Sequence, residues 1–440
     1  MRRCISALAI LFLLFVSSAS AEPDLGSPSA VSVAPADLAG ELPAPPMEDL
    51  VQGALEHSPS LAAQRAKLAA AREQVSPAGA FTDPMLELSG QEDFSKLAAP
   101  QFYSATLQLS QELPFPGKRG LRRDAASAAA EREAAELIRQ ERKLIADVRT
   151  VYARLYALDQ ERRILEMSRE LLTMLQATAG ARYSSGESDQ EALLKAQLAV
   201  SRLMERIADL AAERAAMAAE LNRLLDQPTD QPLGPVQKLP EIEMTKLPPE
   251  DAWSSIPDIA VQQKAIEAAG YRLDAAKREV WPDFKVGLGG GVQRNEVDNS
   301  FMPMGMLSFG VTLPIWQGSK QQPLIHAAEF EKQMAVAERR DAEAMVRATI
   351  VRLKAEWQRN ERQIILYKEA ILPQTHVTFE AARSSYLVGR SDFSTVLEDF
   401  NMWLAAHVEL AQRESARIIT WAELEALLPA ETGGAAQSSP

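Results

Sequence analysis

The chain has 440 residues, a formal net charge of −13 and one cysteine, Cys4. An acid excess of that size argues against nucleic acid as a partner. A single cysteine leaves no disulfide framework and no cysteine-based metal or redox chemistry.

The first predicted element is MRRCISALAILFLLFVSSASA, residues 1–21. Two arginines, an apolar run and Ala19-Ser20-Ala21 make a secretory signal with an A-x-A cleavage site, so the mature chain is expected to start at Glu22. Cys4 precedes the apolar run rather than marking the cleavage point, so no lipid anchor is expected there. Losing Arg2 and Arg3 with the signal takes the charge to −15. Residues 22–46, rich in Pro, Ala and Ser, read as a flexible leader. After the signal no run of ~18 apolar residues occurs, so no transmembrane helix is expected.

The rest of the chain is written twice. HSPSLAAQRAKL (57–68) matches SIPDIAVQQKAI (255–266), and Pro59 and Pro84 stand 198 residues before Pro257 and Pro282. LPFPGK (113–118) matches LPIWQGSK (313–320) at an offset of 200, and RYSSGESD (182–189) matches SYLVGRSD (385–392) at 203. A slowly growing offset is what small loop insertions produce. The first repeat covers 47–227, a Pro-rich joint 228–250, the second repeat 251–428 and a polar tail 429–440.

In each repeat a helix is followed by two strands and then by a long helical hairpin. The strands are expected over about 83–113 and 282–314, the hairpins over about 120–226 and 321–428. In YSATLQLSQEL, Tyr103, Ala105, Leu107 and Leu109 alternate with Ser104, Thr106, Gln108 and Ser110. In the second repeat Leu307, Phe309, Val311 and Leu313 alternate with Ser308, Gly310 and Thr312. Short segments with one apolar and one polar face suit a transmembrane β-barrel, and a half-buried soluble hairpin gives the same pattern. Four strands cannot close a barrel in lipid, so several chains must pool them: two, three or four copies would all serve.

Leu121 to Ala179 contains neither Gly nor Pro. Its apolar residues Leu144, Val148, Val151, Leu155, Leu158, Leu165 and Leu172 fall in a seven-residue rhythm, interrupted by Arg162 and Arg169. Val346, Ile350, Leu353, Trp357, Ile364, Tyr367 and Ile371 repeat it, interrupted by Asn360. Such a rhythm predicts a coiled-coil seam.

Paired hairpins, the LPFPGK and LPIWQG strand exits and two Y-x-x-G-x-S-D turns, in duplicated order, make the chain resemble the TolC family of outer-membrane efflux factors over roughly residues 47–428. The resemblance implies a mainly α fold with a small membrane β-part: a homotrimer with a twelve-stranded barrel in the outer membrane, continued by a periplasmic α-helical barrel. It implies a passive exit duct, a periplasmic adaptor (membrane fusion protein) and an inner-membrane efflux pump as partners, outer-membrane lipid around the barrel, and no cofactor. The LPFPGKRG exit leans toward heavy-metal-cation members. Two other readings remain open: a periplasmic coiled-coil scaffold without a pore, and an exit duct for one-step protein secretion.

By the same resemblance the two turns are the periplasmic tips. Tyr183, Gly186, Ser188, Tyr386, Gly389 and Ser391 are candidates for adaptor docking; as plain residues, the glycines are turn formers with φ > 0 or close backbone approach. The family's gate acids fall here on Thr395 and Glu398, so one acid is lost. Asp189, Asp392 and Asp399, with Arg390 as a bridging cation, complete the gate candidates. Asp189 and Asp392 are equally N-caps of the helices that follow. Lys118, Arg119, Arg122 and Arg123 sit at a strand exit, where they would meet lipid headgroups or simply start a helix, although positive charge there is unfavourable.

No catalytic pattern emerges. GLGGGV (287–292) lacks the third glycine and helix of a dinucleotide site and reads as barrel strand; PGKRG lacks the parts of a phosphate loop. His57, His326, His376 and His407 have no ligand spacing.

Overall fold

The computed structural model describes residues 43–93, 101–186, 188–244, 250–295 and 300–428. The expected signal, the leader to residue 42 and the tail from 429 lie outside the described residues. The leader's last residues are docked rather than loose: Ala44 donates its N–H to the Pro235 carbonyl at 3.1 Å.

The first repeat runs α1 (Met47–His57), α2 (Pro59–Glu73), a single turn α3 (Val75–Ala78), β1 (Met85–Asp93), β2 (Gln101–Leu113), α4 (Lys118–Ser184) and α5 (Gln190–Leu224). The second runs α6 (Pro257–Arg278), β3 (Asp283–Arg294), β4 (Phe301–Thr312), α7 (Gln321–Leu366), a π-helical turn (Tyr367–Ile371), α8 (Leu372–Leu387) and α9 (Phe393–Ala426). Pro59 and Pro257 open α2 and α6, where a missing N–H costs nothing.

The strands form one antiparallel sheet in the order β1-β2-β3-β4, so β2 and β3 join the repeats. Leu88↔Leu107 and Leu288↔Leu307 set one face apolar, and these leucines are exposed. Thr106, Gln108 and Ser308 mark the other. There Gln108 Nε2 reaches across β3 to Ser308 Oγ at 2.8 Å, directly over Gly287. A Cβ on Gly287, Gly289 or Gly291 would meet atoms at 2.4, 2.9 and 2.3 Å. A Cβ on Gly290 or Gly305, on the apolar face, would meet nothing closer than 3.4 Å. The sheet therefore curls toward its polar face, and the glycines are what permit it.

At about 1.5 Å per residue the 67 residues of α4 span about 100 Å. Leu144, Val148, Val151 and Leu155 pack with α1, α5 and Val236; Leu165, Leu172, Leu175 and Ala179 pack with Phe379, Tyr386, Val396 and Phe400. One expectation is corrected here. Arg169 does not interrupt the seam: it is exposed, and Ser168 is buried instead, its hydroxyl bonded to the Ile164 carbonyl at 2.7 Å. The buried positions run Leu165, Ser168, Leu172, Leu175 and Ala179, one residue earlier at the polar step than a strict alternation of four and three from Leu158 would place it. In the other hairpin Asn360 is buried in the seam as expected. The π-helical turn just ahead of Pro373 absorbs the hydrogen bond that proline cannot make.

The Pro-rich joint is a strap tied to the helices. Arg214 Nη2 donates to the carbonyls of Leu233 and Gly234 at 2.8 and 2.9 Å. Asp159 accepts from Arg214 Nε at 2.5 Å and from the Val236 N–H at 2.8 Å. Asp159 is buried, so Asp159→Ala leaves the Arg214 charge and the Val236 N–H without a partner. The expected loss is about 3 kcal/mol or more, read as a lower thermal midpoint of helical circular dichroism in detergent. An unchanged midpoint would show that the strap is held elsewhere.

Candidate functional site

The two quoted turns close two helix ends side by side. Gly186 and Gly389 have φ of 77° and 73°, the left-handed conformation that glycine enters without a Cβ penalty. Gly186 donates to the Tyr183 carbonyl at 3.1 Å, and Gly389 to the Tyr386 carbonyl at 3.0 Å. The Arg390 N–H closes a second bond to the Ser385 carbonyl at 2.8 Å. This is the glycine-ended helix cap, written once per repeat.

The repeats diverge in what surrounds the cap. Tyr386 is buried, edge-to-face with Phe393 at 5.7 Å; its counterpart Tyr183 is 44% exposed. Burial pushes the Tyr386 phenol up, against the opposing pull of the Arg182 charge. Arg182, on α4, donates from Nη1 to the Tyr386 carbonyl at 2.5 Å, and its guanidinium carbon lies 5.1 Å from the Tyr386 ring centroid. One side chain thus ties the end of α4 to the end of α8. A second tie runs from Lys195 Nζ to Ser394 Oγ at 2.9 Å, joining α5 to α9. Between the turns lies a polar cleft of about 410 Å³, lined among others by Ser188, Asp189, Ser391 and Asp392.

Arg182 and Lys195 escaped the sequence reading. The position matching Arg182 in the second repeat is Ser385, so comparing the repeats hides it. A basic residue in a helix's last turn, beside exposed carbonyls, was the available signal.

The gate candidates separate. Glu398 and Thr395 are exposed, whereas Asp399 is buried beside Phe400. Arg390 is exposed at the turn, about two helical turns before Glu398. Asp189 and Asp392 occupy the N-cap positions of α5 and α9 with extended backbone, yet neither carboxylate makes the capping hydrogen bond. The capping role is corrected accordingly: position without bond.

The basic cluster at the strand exit is largely neutralised within the chain. Lys118 is 2% exposed and pairs with Asp283 at 2.9 Å and Glu279 at 3.1 Å. Arg119 donates to the Gly79 carbonyl at 2.8 Å and lies over the Phe81 ring at 3.4 Å. Arg122 pairs with Glu279 at 2.6 Å. The expectation of headgroup contact therefore fails for Lys118, because its charge is neutralised inside the joint between sheet and helices. Asp283 also holds the Phe115 N–H at 2.8 Å, and Phe115 stacks on Trp281 at 4.8 Å. Arg123 remains exposed.

Three of the four histidines serve locally: His57 and His407 each face a carbonyl four residues back at 3.0 Å, and His326 faces Gln322 at 3.2 Å. Among the described residues no cluster of His, Cys, Asp and Glu is arranged to hold a metal ion, and no helix is long and apolar enough to cross a membrane.

A family model described as outer membrane efflux protein matches residues 50–227 and 249–430. No curated protein matches the sequence. Among solved structures, CusC aligns with a TM-score of 0.76 at 20% identity, over 91% of this chain and 97% of CusC. VceC of Vibrio cholerae aligns at 0.73 and 20% identity, over 87% and 95%. The CmeC channel of Campylobacter jejuni aligns at 0.74 and 14% identity, over 87% and 85%. At these identities the structures establish the fold.

Proposed function

We infer the working of this chain from its membership: it belongs to the outer membrane efflux protein family. It is an outer-membrane exit duct of a tripartite efflux system, with a periplasmic helical extension, and not an enzyme. Such ducts assemble as trimers with an adaptor and an inner-membrane pump.

The observation that carries the finer reading is the sheet. It has two open edges, β1 and β4, and an exposed apolar convex face. Open edges cannot stand in lipid, so each β4 pairs with β1 of the next copy; three copies close twelve strands. The concave polar face becomes the lumen. The tips carrying Gly186 and Gly389, with Tyr183, Ser188, Tyr386 and Ser391 around them, take the adaptor. Glu398 places negative charge at the periplasmic mouth, with Asp189, Asp392 and Arg390 nearer the tip, while Asp399 serves helix packing. Arg123 faces the inner-leaflet headgroups. The cargo is small toxic compounds or heavy-metal cations, with the choice made by the pump.

The purified protein is expected to run as a heat-labile trimer recovered from the outer-membrane fraction. A monomer in the soluble periplasm would sink this reading in favour of a scaffold without a pore.

A further inference from the structure

Strand β4 breaks the pattern its neighbours keep. Residues directly opposite in an antiparallel ladder share a face. Leu288↔Leu307 and Val286↔Phe309 fix the apolar face; Gly287↔Ser308 fixes the polar one. On that polar face lie Met302, Met304 and Met306, opposite Gln293, Gly291 and Gly289. They are 51%, 40% and 40% exposed. The outward positions between them hold Pro303 and Gly305. Three consecutive same-face methionines of β4 therefore line the concave face, which otherwise carries mostly Ser, Thr, Gln and Gly, with Met85, Glu87, Glu112 and Lys285 toward its far strand and its helix end, while the lipid side goes without side chains of that size. Hydrophobic patterning does not explain this; it would place the methionines one residue over.

The glycines opposite complete the arrangement. Gly289 and Gly291 have no Cβ, and none would fit. They leave a bare floor beside Met304 and Met306, onto which long unbranched side chains can fold. Alternate residues of a strand stand about 7 Å apart. Three rotatable bonds let neighbouring thioether sulfurs close that gap and share one ion. Thioethers are soft and uncharged. They select monovalent d10 cations and leave hard cations to oxygen ligands. Uncharged ligands repeated along a path also bind weakly enough to release, which is what conduction needs.

We propose that Met302, Met304 and Met306 form a thioether ladder on the lumen face that takes Cu(I) or Ag(I) in transit. The proposal rests on the duct reading in one respect, that the concave face is the lumen.

The test is equilibrium dialysis of the detergent-purified trimer against Ag(I) in chloride-free buffer, with bound silver measured per chain. The lumen variant Met302→Leu/Met304→Leu/Met306→Leu conserves side-chain volume. It is expected to weaken silver binding about tenfold or more. The control Met167→Leu/Met174→Leu/Met204→Leu, on exposed helix positions, is expected to bind as the wild type does. Met304→Leu alone breaks both neighbouring pairs and gives the same reading should the triple variant assemble poorly. Equal silver binding by wild type and both lumen variants overturns the ladder. Conductance in planar bilayers, measured in parallel, tests the duct itself. Lost silver binding with no conductance in any protein would overturn the duct and keep the site. Intact conductance with unchanged silver binding does the reverse.

Discussion

Gly291→Leu is expected to abolish the outer-membrane trimer. A Cβ at this position would sit 2.3 Å from the Ala105 carbonyl oxygen and 3.1 Å from the Thr106 Cα. Both are backbone atoms of β2, and β2 is pinned to β3 by an unbroken register from Ser104↔Gln293 to Leu113↔Phe284. Neither strand can yield without loosening the ladder that joins the two repeats. Overpacking costs up to about 3 kcal/mol even where side chains can give way, which is about a hundredfold in an equilibrium. Here the obstacle is backbone, and three copies carry it. Gly305→Ala is the matched control: it lies on the apolar face, and its Cβ would meet nothing within 4 Å. Seminative electrophoresis of outer-membrane fractions should show the trimer for Gly305→Ala and not for Gly291→Leu. Helix content should survive in both, because the cores of the helical part lie apart from the sheet. A normal trimer with leucine at 291 would mean that the sheet closes without the curl assigned to its glycines.

Much of this is legible in the residues alone. The repeat offsets, the strand alternation around Leu107 and Leu307 and the glycine turns all appear where their residue patterns put them. What escaped has physical causes. Arg182 acts across hairpins, and its duplicate position holds serine, so internal comparison erased it. Lys118 looked like a surface cation because Asp283 and Glu279, which bury it, stand in the other repeat, far along the sequence. Ser168 stands in the seam in place of Arg169 because the spacing of buried positions shifts by one residue between Leu158 and Leu165, where Glu161 rather than Arg162 is buried. The methionines of β4 share the parity of Ser308 and Thr312, and the register with Gly289, Gly291 and Gln293 sets them on the polar face.

The tips invite a prediction that separates two roles the turns combine. Gly186→Trp and Gly389→Trp both incur the left-handed backbone cost, about 1–2 kcal/mol, at the end of long helices that are packed along the rest of their length. Folding, trimer formation and membrane insertion should survive both. Beyond that the sites differ. At Gly389 a Cβ would stand 3.1 Å from Arg182 Nη2, so a bulky side chain displaces the guanidinium from the Tyr386 carbonyl and frees the end of α8 from α4. At Gly186 a Cβ meets nothing within 4 Å, so the side chain enters only the space where a partner would dock. Gly389→Trp is therefore expected to raise single-channel conductance and lower adaptor cross-linking together. Gly186→Trp should lower cross-linking about tenfold or more, the scale on which blocking a central anchor weakens an interface, with conductance unchanged. Arg182→Ala removes the tie without adding bulk, and should raise conductance while cross-linking stays normal. Normal cross-linking and export with Trp at both glycines would remove docking from these turns. Unaltered conductance in Arg182→Ala would show that the tie to Tyr386 holds the two helix ends together without holding the mouth shut.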